Sequence, residues 1–376
     1  MHRGCLFAAT FFVAGLGSPW AETAASRRLA PVRAITVEGT FETDDGTPPA
    51  RDLSGIACRP APNASAQRLC LVVNDGDRFA QFATIQDGHL IVGATVPLIG
   101  AKPSPSTLGA KHQALACLEG EAHFTDLDGE AVAYAAPYFY IVGSHGCSRR
   151  NKYHSSRFIL ARVRVNEQGR VVDEAGHEPA SPEDALTFVE TTHRLADVLR
   201  AAEPIGAHFG KDLRANGVNV EGLAVVNGTL YAGLRAPSLG GTAYVVSTEV
   251  NALFSREDAP SPPKLGVIPL ALGANTGIRD LAPLGDGRLL VLAGPAQDQT
   301  GVAYALYAAE PRVGGRLTRL ATLDDIGQDC KPSPRTQAGN PEAVLPLGMD
   351  EDRLQVLILF DGLPNGAPCE YIVPLR

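Results

Sequence analysis

Glu221 in Asn219-Val-Glu-Gly-Leu-Ala224 and Glu342 in Asn340-Pro-Glu-Ala-Val-Leu345 occupy the third place of one recurring phrase. Asp128 holds the same place in Asp126-Leu-Asp-Gly-Glu-Ala131. With Asn219 they form a candidate ligand set for Ca²⁺ or another divalent cation, since Ca²⁺ takes about six to eight oxygen ligands. The competing reading is that these acids cap strand starts or pair with Arg235 and Arg279. His145, in Gly143-Ser-His-Gly-Cys147, is the candidate catalytic residue. It would exchange a proton with a substrate oxygen or a metal-bound water; the alternative is a loop histidine held by a backbone carbonyl. Arg149, Arg235 and Arg279 are candidate contacts for an anionic small-molecule substrate. Arg149 also opens a cationic stretch with Arg150, Lys152, Arg157, Arg162 and Arg164, although Arg162 and Arg164 alternate with valines and read as the solvent side of a strand.

These residues lie far apart in the chain, so the fold must gather them. The phrase occurs five times, also as Asp52-Leu-Ser-Gly-Ile-Ala57 and Gly277-Ile-Arg-Asp-Leu-Ala282. A strand-like run and a turn follow each copy. The third unit is the clearest: Val220 to Val226, the turn Asn227-Gly228, then Thr229 to Gly233, Ala243 to Val250 and Leu265 to Ala271. Four antiparallel strands per unit, repeated, describe an all-β fold, a β-propeller. The last unit supplies three strands, and Arg33 to Phe41 offers the fourth, closing the ring without a free edge. Five blades are expected, with six as the alternative if the long second unit hides another. That unit carries an insertion around 167–215, in which Leu195, Val198, Leu199 and Ala202 mark one face of a short helix.

In a blade the first strand lines the channel and the second runs back, so first-strand starts and second-strand ends share one face. This step brings Asp52, Ser54, Asp126, Asp128, Asn219, Glu221, Arg279, Asp280, Asn340 and Glu342 together with Asp75, Asp77, His145, Arg149, Arg235, Gln297, Asp361 and Asn365.

The whole chain fits this reading. Its 376 residues with Gly 39 and Pro 28 are turn-rich, and the net charge of −8 gives no general attraction to nucleic acid. No phosphate-binding loop, no dinucleotide fingerprint and no Gly-x-Ser-x-Gly elbow occurs, so no organic cofactor or serine nucleophile is indicated. Residues 1–25 read as a signal peptide, with an apolar run from Cys5 to Leu16 too short for a membrane span. The expectation is an exported monomer without a membrane anchor, periplasmic or extracellular, with a single propeller domain over 33–376. Its six remaining cysteines are expected to pair locally in an oxidising compartment: Cys58 with Cys70, Cys117 with Cys147, and Cys330 with Cys369. Six cysteines allow 15 pairings, so these are assignments by proximity.

Taken together, the phrases at 219–224, Gly233-Leu-Arg-Ala-Pro237, Ile278-Arg-Asp-Leu-Ala-Pro283, Gly143 to Cys147 and Phe360-Asp-Gly-Leu-Pro-Asn365 resemble the bacterial domain of unknown function 3616 family. The resemblance runs from about Ala34 to the C-terminus. It implies a propeller-like fold and supplies no activity. The Glu-Gly phrase is more loosely similar to phytase-like esterase propellers and to the gluconolactonase and senescence-marker group, where such a glutamate holds a central divalent metal. Glu221 matches that placement and Glu342 is a weaker counterpart, whereas Ser54 and Arg279 depart from it. Two functions therefore compete: a metal-assisted hydrolase of a small ester, lactone or phosphoester, and a non-catalytic propeller binding a ligand or protein.

Overall fold

The computed structural model describes residues 27–61, 67–110, 117–148, 150–181, 184–257 and 264–375. The expected signal peptide lies outside them, as does Arg149. Five antiparallel sheets stand in a ring. Blade 1 is Leu53–Cys58, Arg68–Asn74, Phe79–Gln86 and His89–Pro97; blade 2 is Gly129–Ala135, Tyr138–Gly143, Leu160–Arg164 and Val189–Thr192. Blade 3 is Asn219–Val226, Thr229–Ala236, Ala243–Glu249 and Gly266–Leu270; blade 4 is Thr276–Pro283, Leu289–Pro295, Ala305–Ala309 and Leu317–Leu323. Blade 5 takes Asn340–Met349, Arg353–Asp361 and Cys369–Pro374 from the C-terminal part of the chain.

The N-terminal segment closes the ring in a way that strand preference alone does not predict. Only Arg33–Ala34 pairs with Cys369–Glu370 in blade 5. The next strand, Thr36–Glu38, pairs in parallel with blade 1, and Arg28–Leu29 pairs in parallel with blade 4. One segment thus covers the outer edges of three consecutive blades, which protects backbone groups that would otherwise be open to another chain.

Each blade is apolar on both faces because it packs against a neighbour on either side. Five separate core clusters result, one per junction; that between blades 2 and 3 includes Tyr140, Val142, Val220 and Leu223. The helix Arg194–Ala201 adds Leu195, Val198 and Leu199 to this cluster, so the insertion is part of the core. Glycines set the closeness of the inner strands. A Cβ on Gly55 would stand 2.8 Å from the Ala131 Cα of the next blade, and one on Gly277 would stand 2.0 Å from the Arg235 carbonyl oxygen. Arg162, expected on an open strand face, is held between the rings of Tyr138 and Phe254, 4.3 Å from each centroid, and ion-pairs with Glu190.

Three disulfides join Cys58 to Cys70, Cys117 to Cys147 and Cys330 to Cys369. Among the described residues no helix is long and apolar enough to cross a membrane. The disulfides accord with an exported protein. The Cys117–Cys147 bond closes a loop of sequence separation 30. Replacing both cysteines by serine is expected to lower stability by about 3–4 kcal/mol from the added freedom of the unfolded chain. A urea melt checks this; an unchanged midpoint would show that the crosslink constrains nothing.

Candidate functional site

In every blade the inner strand carries a bulge, and the bulged residue is the one that reaches the channel. The ladder register skips Ser54 between Leu53 and Gly55, and it skips Glu130 between Gly129 and Ala131. It likewise skips Glu221, Arg279 and Glu342. A bulge leaves one residue unopposed and re-aims its side chain. Repeated once per blade, it builds a ring of five: Ser54, Glu130, Glu221, Arg279 and Glu342. All five line a cavity of about 380 Å³ at the channel mouth.

Charge around this ring is uneven. Arg279 stands between its ring neighbours, with Nη1 3.0 Å from Glu221 and Nη2 hydrogen-bonded to Glu342. Arg235, from the end of the second strand of blade 3, donates to the other Glu221 oxygen at 2.7 Å. Glu221 therefore has both oxygens engaged by guanidiniums. Neither arginine pairs with Glu130. Yet Glu130, Glu221 and Glu342 each bring a carboxylate oxygen within 4.8 Å of the others.

Burial deep in the channel, followed by the negative charges of Glu221, Asp128 and Asp75, pushes the Glu130 carboxyl well above its ordinary range. Two glutamates of the same ring thus differ in their surroundings: Glu221 is held by two guanidiniums, and Glu130 by neither. Asp128 is also raised, by burial first, although Arg157 opposes it. Asp280 is buried and points away from the channel: Oδ1 accepts from the Leu281 N–H at 2.7 Å and Oδ2 from the Val344 N–H at 2.7 Å.

The expected site residues divide on this geometry. Glu221, Glu342, Asn219, Arg235, Arg279 and Asp128 all line the cavity, as do Asp75, Gln297 and Asp361 from second-strand ends. Asp128 does not join the glutamate trio, because it accepts from Ser144 and ion-pairs with Arg157 at 3.0 Å. Its place belongs to Glu130, two residues further on. His145 is a correction as well. Its ring is fully buried, with Nδ1 2.8 Å from the Gly143 oxygen and Phe158 packed against it. It lines neither the cavity nor its outer extension. The backbone at His145 has φ of 52°, in the left-handed region. Asp77 and Asn365 serve loops: they accept from the backbone N–H groups of Asp44 and Phe41.

The sequence model for the family described as "Protein of unknown function (DUF3616)" matches residues 111–365. No curated protein matches. Among solved structures, the chain is similar to an α-L-arabinofuranosidase from Podospora anserina, with 9% identity and a TM-score of 0.42 over 92% of this chain and 98% of that one. It is also similar to an exo-β-1,3-galactanase from Phanerochaete chrysosporium (11%, TM-score 0.41, covering 92% and 64%). An aldose sugar dehydrogenase from Streptomyces coelicolor gives 10%, a TM-score of 0.34, and coverage of 92% and 97%. The fold assignment rests on the five sheets and their pairing.

Proposed function

This chain belongs to the DUF3616 family, which supplies no activity to carry over, and we propose from the site itself that it is an acid–base hydrolase. The observation that carries the reading is Glu130, whose carboxyl is raised and has no guanidinium partner, beside Glu221 and Glu342, which are both paired with Arg279. Glu130 donates its proton to the departing oxygen of the substrate. Glu342, with one oxygen on Arg279, takes a proton from the attacking water. The water oxygen bonds to the substrate as the leaving-group bond breaks, and solvent returns the proton from Glu342 to Glu130. Carboxylate oxygens within 4.8 Å can be bridged by one water at ordinary hydrogen-bond lengths. Glu221 fixes the two arginines.

The lining also limits the substrate. It holds seven carboxylates against the four guanidiniums of Arg157, Arg235, Arg279 and Arg335, and each guanidinium has a carboxylate partner. Free acceptors outnumber free donors, so the part of the ligand in the inner cavity is rich in hydroxyl groups. The test is a panel of chromogenic glycosides, esters and lactones with the native protein and Glu342→Gln. Turnover that falls at least about 100-fold in the variant supports the base assignment. Turnover unchanged in it refutes the assignment.

A second reading is favoured by Asn219, whose Oδ1 is buried without a hydrogen-bond partner beside the trio. An unneutralised carboxylate such as Glu130 can be satisfied by a cation in place of a proton. The residues fit a divalent ion only where Arg279 cedes Glu221 or Glu342, since Ca²⁺ needs about six oxygens or more. A metal-bound site predicts a melting temperature that rises with Ca²⁺ and falls with chelator; the acid–base site predicts no shift.

A further inference from the structure

The inner cavity does not end at the glutamate ring. Asp75, Asp128 and Arg157 form a shared wall, and beyond it lies a more open chamber of about 620 Å³ between blades 1 and 2. Its far side is the loop after His145, carrying Arg150, Lys152 and His154. The loop is shaped before any ligand arrives: Ser148 Oγ accepts from the Lys152 N–H at 3.0 Å, the Ser148 N–H donates to the Lys152 oxygen at 3.0 Å, and Cys147 is tied to Cys117.

The two chambers differ in which charges are still available. In the inner one every guanidinium is paired. In the outer one the carboxylates are engaged: Arg157 takes Asp126 at 3.1 Å and Asp128 at 3.0 Å, and Asp52 and Asp75 have partners of their own. Arg150 and Lys152, by contrast, are exposed and have no carboxylate partner among the described residues. Cations that border a continuous cleft without a counter-ion are where an anionic ligand group gains charge-assisted hydrogen bonds.

We propose that the outer chamber is a subsite for an anionic group, a carboxylate or phosphate held by Arg150 and Lys152, on a substrate whose hydroxyl-bearing part reaches Glu130. The substrate class is then a hydroxyl-rich acid, a sugar acid or a phosphorylated polyol. This inference rests on the acid–base reading for the inner end and on the unpaired cations for the outer end, and the two are separable by experiment.

The test is ligand binding by the mature protein, followed by saturation-transfer NMR, for two matched pairs: glucuronate against glucose, and glycerol 3-phosphate against glycerol. The acid of at least one pair is expected to bind at least tenfold more tightly than its neutral partner. The preference should vanish in the double variant Arg150→Ala, Lys152→Ala and weaken as salt rises, because exposed charges are screened. Both side chains are exposed, so a melting curve matching the native one is expected and shows that the variant is folded. Glu130→Gln should keep the preference, so a failed hydrolase reading leaves this result standing. Equal binding of acid and neutral partner, binding of neither, or a preference that survives the double variant overturns the subsite.

Discussion

Glu130→Gln is expected to melt at a higher temperature than the native protein at pH 7–8 while losing turnover by about 10²–10⁴-fold. Both effects come from one proton. Burial and the surrounding anions raise the Glu130 carboxyl well above its ordinary range in the folded chain. A raised pKa means that the folded state binds the proton more tightly than the unfolded state. The associated stability is fully present below the unfolded value, near pH 4.3, and is lost as pH rises through the folded value. Glutamine has nearly the same shape and cannot ionise, so it removes that loss. The gap between variant and native melting temperatures should be small in acid and widen as pH rises. Hydrolysis should follow the same titration, falling as Glu130 loses its proton, because glutamine and an ionised Glu130 alike have no proton to give. A variant that melts lower than the native protein across this pH range would show that Glu130 is a structural partner.

Asp280→Ala is expected to be the most damaging single change near the site. Burial raises the Asp280 carboxyl well above its ordinary range, opposed by the N–H groups it accepts from Val344 in blade 5 and Leu281 in its own strand and by the N–H of Leu223 in blade 3. Leu223, Leu281 and Val344 each lie two residues beyond a ring residue, Glu221, Arg279 and Glu342 in turn. One buried group therefore ties three inner strands at the height of the ring. Alanine leaves three buried donors without an acceptor, at about 1–3 kcal/mol each, for a total of about 3–9 kcal/mol. The melting temperature should fall on the order of 10 °C. Asp280→Asn keeps one acceptor oxygen and should lose roughly half as much. Differential scanning calorimetry on both variants measures this, and a loss below about 1 kcal/mol in Asp280→Ala would mean that the inner strands hold their places unaided.

The ring was legible in the sequence because one phrase recurs where each inner strand begins, and strand-turn-strand patterns follow it. The member contributed by blade 2 was misplaced. Matching Asp126-Leu-Asp-Gly to Asn219-Val-Glu-Gly aligns glycine with glycine and selects Asp128. The bulge, however, falls two residues later at Glu130, where the following Ala131 corresponds to Ala343 after Glu342. A small residue after the acid, together with the apolar alternation that begins at Ala131, was the available signal. Bulges themselves leave little trace in composition, since they depend on how two strands register. His145 lies at a strand end as expected, but its ring is buried, with Phe158 against it and Nδ1 on the Gly143 oxygen, which spacing alone does not reveal. The pairing of acids with arginines was foreseen as an alternative, and Arg279 between Glu221 and Glu342 realises it. Closure by the N-terminal segment was visible as a spare strand, whereas its division among three blades depends on backbone contacts along the outer rim.

The central claim is that burial and the surrounding anions hold the Glu130 carboxyl well above its ordinary range, in a ring whose other two glutamates are paired with Arg279. Carbon-13 NMR of the glutamate side-chain carboxyls, titrated from acid to alkali and assigned by Glu130→Gln, reads this directly. The Glu130 resonance should titrate well above the usual glutamate range. A Glu130 midpoint at or below about 4.3 would contradict the account.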